Sequence, residues 1–221
     1  MQDRAVRRNG GAGKGAVRGM DLHFVTDFGD QAVVLPVAGA VLLGLLAVGW
    51  WRAALAWAVV VPATLGAVLL AKMTVMACGG GVRGWGLASP SGHTAAAAAV
   101  YGGLVALALG DWARARVGLA LAGGAAAGLV VGYTRLALDV HTVADVVAGG
   151  AIGTAGSVVL AWLAGARPAR PRAMLGVGAA AAGAVLLAVL VLFHGQRLHA
   201  EMRIGRAAVQ VWPFSLCGGG G

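Results

Sequence analysis

The chain has 221 residues, 59% of them hydrophobic and 11% charged, with a mean hydropathy of +0.83. Soluble domains carry charge on roughly a quarter of their residues, so these figures point to a membrane protein and exclude a disordered chain, while 38 glycines without a Gly-X-Y period exclude collagen. The net charge of +9 invites a nucleic-acid partner, but the basic residues sit in a Gly-rich head and at the ends of apolar runs, where they anchor helices to anionic headgroups; membrane lipid, and no nucleic acid, is the expected partner.

In chain order, residues 1–20 form a basic head (Arg4, Arg7, Arg8, Lys14, Arg18) too poor in large apolar side chains to fold. The first apolar run starts too late and runs too long for a signal peptide. Residues 21–31, containing DLHFVTDFGD, mix apolar side chains with acids at short spacing and read as an interfacial helix. Six runs of spanning length follow: Ala32 to Trp50, Ala53 to Ala77, Thr94 to Leu109, Val117 to Leu136, Val143 to Leu163 and Leu175 to Phe193. The expected fold is therefore all-α, a polytopic six-helix transmembrane bundle over 32–193, ending in an interfacial tail, 194–221. Trp and Arg at the joints serve as interface anchors, and Gly/Ala runs such as Gly123–Gly128 and Gly149–Gly153 let helices approach closely. Cys78 and Cys217 are too few for a disulfide framework or a metal cluster.

Between residues 31 and 200 the only acids are Asp111, Asp139 and Asp145, and the only lysine is Lys72. Charge inside a bilayer is costly, so each needs a reason. Asp111 has one in its solvated joint beside Arg114 and Arg116. His141 and Asp145 are four apart, one helical turn, so Asp145 can hold one imidazole nitrogen and leave the other to attack an electrophile; the same pair can equally be a structural hydrogen bond. Arg135, across the preceding turn, carries a planar cationic fork suited to phosphate oxygens. Ser89-Pro90-Ser91-Gly92-His93-Thr94 stands where a loop becomes the third span. A helix N-terminus with Gly92 forms an anion cradle, and His93 beside it can protonate a leaving group; the plain alternative is a helix cap with an incidental histidine. Both clusters follow even-numbered spans and so open on one membrane face.

Pro90-Ser91-Gly92-His93, followed by Thr134-Arg135, five residues, His141, three residues and Asp145, resembles the second and third motifs of the type 2 phosphatidic acid phosphatase superfamily. Thr134 replaces the usual serine, and Asp139 stands where a small residue is common. In the first motif Lys72 matches, but its partner arginine is either displaced onto Arg83 or absent. The resemblance implies a metal-independent phosphatase, without cofactor or obligate protein partner, acting on a lipid phosphate or prenyl diphosphate. It gives His141 as nucleophile, His93 as acid, Asp145 as the support of His141, and Lys72, Arg135, Ser91, Gly92 and Arg83 as phosphate ligands. The absence from the sequence of a carboxylate cluster of the kind that holds Mg²⁺ agrees with this.

A transporter, or a catalytically inactive protein of the same fold, is the alternative reading. Polar residues gathered at one face, not along several spans, favour the enzyme. The expected location is a bacterial plasma membrane. Arg52, Arg114, Arg116, Arg167, Arg170 and Arg172, at the joints opposite the motifs, favour a non-cytoplasmic site, while the basic head pulls the other way.

Overall fold

The computed structural model of the chain describes residues 22–77 and 86–168, together with 183, 184, 187, 188, 191 and 192. The basic head, the tail, Arg83, both cysteines and most of the expected span Leu175 to Phe193 lie outside the described residues. Among the described residues the structure is helical, without β-strands: α1 (22–27), α2 (Gln31–Ala47), α3 (Trp51–Ala77), α4 (Gly92–Leu109), α5 (Ala113–Ala137) and α6 (Val143–Leu163). Helices α2 to α6 match the first five expected spans to within four residues at each end.

Three helix starts and one chain reversal have a local cause. Asp30 caps α2 by accepting from the Ala32 amide at 2.8 Å, Ser91 caps α4, and Thr142 with Asp145 forms a capping box on α6. After α5 the chain reverses through Asp139, whose φ of 54° is a left-handed conformation that aspartate tolerates better than most residues; this turn explains an acid where a small residue was expected. Asp139 is exposed there.

Four helices, α3 to α6, are long and apolar enough to cross a bilayer, and α2 is a shorter apolar helix. Only 33% of the apolar window of α5 and of α6 is buried within the protein, and large apolar side chains on both, including Leu129, Val130, Val147 and Trp162, are exposed. That much exposed hydrocarbon is intolerable in water and ordinary in lipid, so the chain is a membrane protein.

Helix α4 occupies the centre, packing on α2, α3, α5 and α6. Its Ala95–Ala99 run is wholly buried, and its neighbours approach almost to backbone contact. A Cβ on Gly102 would lie 2.7 Å from Gly124 Cα, and one on Gly153 would collide with the Ala95 carbonyl. In lipid, where apolar side chains gain little by leaving their surroundings, such close contact supplies the cohesion. A second core, built from Val33, Val34, Val37, Trp57 and Leu160, seats α2 and α3 against α4 and α6, and the Trp57 indole donates to the Ala38 carbonyl at 2.9 Å. Alternating direction brings the C-termini of α3 and α5 to the same end of the bundle as the N-termini of α2, α4 and α6.

Candidate active site

At that end the two sequence clusters, more than forty residues apart, are joined through Asp145. One carboxylate oxygen, Oδ1, accepts from the amides of Ala88 at 2.9 Å and Ser89 at 2.7 Å. The other, Oδ2, accepts from the Thr142 amide at 3.0 Å and faces His141 Nδ1 at 3.4 Å. Its backbone carbonyl accepts from the Ser91 amide at 2.9 Å. Asp145 is 1% exposed, so these donors replace the water that the carboxylate loses. Helix α6 begins after His141, and the histidine reaches Asp145 from just outside the capping box instead of from within a helix. The Thr142 hydroxyl ties the same loop down by donating to the Gly86 carbonyl at 2.8 Å.

Ser91 has a different place from the one expected. It is fully buried; its amide is donated to Asp145, and its Oγ accepts from the Thr94 amide at 3.4 Å and the Thr94 hydroxyl at 2.9 Å. A phosphate cannot compete for these groups without dismantling the cap, so Ser91 shapes the anion cradle without lining it. The first-turn amides of Gly92 and His93 find no acceptor among the described residues, and a Cβ built on Gly92 meets open space. An anion can approach there.

Arg135 ends α5 with 8% exposure, its Nη1 3.4 Å from the Thr26 hydroxyl. Lys72, 5% exposed, lies about a turn and a half before the end of α3, at the same end of the bundle. Arg83 falls outside the described residues.

The segment before α2, expected as an interfacial helix, folds inward. Thr26, Asp27 and Asp30 are buried, the Tyr101 hydroxyl donates to the Phe28 carbonyl at 2.9 Å, and Gly29 lies so close to His93 that a Cβ would come within 2.8 Å of its carbonyl. This places Asp30 Oδ2 3.4 Å from His93 Nε2 while Oδ1 caps α2. Both histidines thus have a carboxylate partner. Asp30 and Thr26 escape the sequence reading because it takes DLHFVTDFGD as an interfacial helix; the available signal was the density of acids there.

The arrangement puts two imidazoles, each beside a carboxylate, two buried cations and a helix N-terminus at one end of a membrane bundle. Comparison with known proteins agrees. Residues 72–169 match the PAP2 superfamily. An uncharacterised 22.5 kDa protein in the cps region of Klebsiella pneumoniae is 30% identical over 199 residues, covering 88% of this chain and 93% of that protein. No solved structure matches the chain. The matched region holds Lys72, the Ser89–His93 loop and the Arg135–Asp145 turn together, and the chain belongs to the PAP2 superfamily, whose members are phosphatases.

Proposed function

We propose that the protein is an integral-membrane lipid phosphate phosphatase that cleaves a phosphomonoester or diphosphate lipid through a phosphohistidine, without a metal. The observation that supports this reading is the Asp145 junction, which holds His141 and is tied by hydrogen bonds to the loop Ala88–Ser91 that leads into the start of α4.

The substrate phosphate sits against those amides, Arg135 and Lys72, whose charge offsets that of the equatorial oxygens. Asp145 engages His141 Nδ1, so Nε2 attacks phosphorus while the bond to the leaving oxygen breaks. His93, supported by Asp30, gives that oxygen a proton. The same histidine then takes a proton from water, which attacks the phosphohistidine, frees His141 and releases inorganic phosphate. Asp145 stabilises the imidazolium character of His141 in both steps.

Substrates of this class place a phosphate at the headgroup level and a tail in the bilayer, where the apolar flanks of α5 and α6 lie. The proposed setting is a bacterial plasma membrane with the site on the non-cytoplasmic side. Purified protein should release phosphate from phosphatidate or a prenyl diphosphate in excess EDTA, and His141→Ala should not. Loss of wild-type activity on chelation, or equal rates for the two proteins, would defeat the mechanism.

A further inference from the structure

The opposite end of the bundle carries a second concentration of cations, built around Trp50. Arg116 Cζ lies 5.8 Å and Arg167 Cζ 5.4 Å from the centroid of the Trp50 ring, whose indole nitrogen donates to the Ala164 carbonyl at 3.0 Å. Two arginines at this end are spent on helix termini. Arg167 Nη2 donates to the Leu107 and Ala108 carbonyls at the C-terminus of α4, and Arg52 Nε to the Leu163 carbonyl at the C-terminus of α6 at 2.9 Å. Glycines make room: a Cβ on Gly165 would strike the Arg52 side chain, and one on Gly110 would strike Arg116.

Arg116 differs from its neighbours. It is 3% exposed, its Nε and Nη1 are buried without an acceptor, and no carboxylate among the described residues pairs with it. It stands in the first turns of α5, where side chains lean back toward the helix start, and the N-cap residue there, Trp112, supplies no side-chain hydrogen bond. A buried guanidinium without an acceptor, carried on the first turn of α5 and lying over Trp50, and the uncapped start of the same helix therefore stand at the joint between α4 and α5. Both call for an anion. For packing alone, an apolar side chain of similar length would serve better.

We propose that this joint is an anion site for the phosphate of an anionic membrane lipid, separate from the candidate active site and seated in the opposite leaflet. The lipid source follows from the surroundings: Trp51, Trp112 and Trp162 are each at least 66% exposed at this end, as indoles are at the level of headgroups, and Arg52 and Arg114 are exposed beside them. The headgroup phosphate enters at the exposed residues 111–114, accepts from Arg116 and the first α5 amides, and leaves its tails along the outer face of α5.

The test is thermal unfolding of the purified full-length protein in zwitterionic detergent, titrated with phosphatidylglycerol, phosphatidylcholine or inorganic phosphate. Phosphatidylglycerol should stabilise wild type at concentrations at least about fivefold lower than phosphatidylcholine, and inorganic phosphate should not. Arg116→Met should unfold no earlier than wild type without lipid and should lose the preference, while Arg135→Ala, altered at the other end, should keep it. Should Arg116→Met not fold, the lipid preference of wild type must still weaken with salt and be absent from Arg116→Gln. Equal response to the two lipids, an Arg116 variant with the preference intact, its loss in Arg135→Ala, or equal stabilisation by inorganic phosphate would each overturn the assignment.

Discussion

Replacing Asp145 with asparagine separates the two tasks of that side chain. The carboxylate accepts from four donors: Ala88 and Ser89 on Oδ1, Thr142 and His141 on Oδ2. An amide keeps one acceptor oxygen, which best serves the shorter pair at 2.9 and 2.7 Å. Its NH₂ then faces the Thr142 N–H and the His141 ring, donor against donor, in a site 1% exposed. Hydrogen bonds to charged groups contribute about 1.5–3 kcal/mol each, so losing the Thr142 bond together with the His141 contact should cost about 3 kcal/mol of stability. Turnover should fall further than stability, by roughly 10³- to 10⁴-fold, because the amide supports the wrong His141 tautomer. Thermal unfolding and phosphate release from a lipid phosphate, measured on the same preparation, check both numbers. An Asp145→Asn protein that turns over at the wild-type rate would refute the role of Asp145 toward His141, and one that melts unchanged would refute the junction.

Three further substitutions probe neighbouring parts of the site. Asp30→Asn retains the cap on α2, since asparagine caps well, and should cost under about 1 kcal/mol; lost support for His93 should slow cleavage of an alkyl phosphate about 10- to 100-fold while sparing an aryl phosphate whose leaving group needs no proton. Equal losses on the two substrates would show that Asp30 does not act through His93. Gly92→Ala fills open space at a helix start, so its melting temperature should match or exceed that of wild type while KM rises. By contrast Gly149→Ala drives a methyl into the Ser91 backbone, and both stability, by about 1–3 kcal/mol, and activity should drop. A Gly149→Ala protein with wild-type melting would contradict the tight α4–α6 contact.

The sequence discloses what depends on local pattern. Span lengths follow from apolar runs, and His141 and Asp145 advertise themselves because charge is scarce between residues 31 and 200. Contacts across the bundle leave no such trace. That Asp145 clasps Ala88 and Ser89, 57 and 56 residues away, is visible only after folding, and so is the fate of Ser91, whose backbone amide reads as a phosphate ligand until folding commits it to the Asp145 carbonyl. Asp30 has two contacts, one local and one distant; the local one accounts for its presence and conceals the other. Arg116 belongs with these: as one basic residue among several at a joint it reads as an anchor, and only its burial without an acceptor distinguishes it.

The glycine-to-backbone contacts along α4 also set a measure. Gly92 rides on α4 and the Asp145 junction on α6, so in the proposed mechanism the gap between attacking nitrogen and phosphorus would be set by the spacing of two helices that touch where Gly149 meets Ser91 and Gly153 meets Ala95. One added methyl group on either glycine opens that spacing by about 1 Å, and a misplacement of this size can cost about 10²-fold in rate. On the proposed mechanism, reactive geometry would be calibrated by residues without side chains, and a screen for loss of activity should return Gly149 and Gly153 as readily as the histidines.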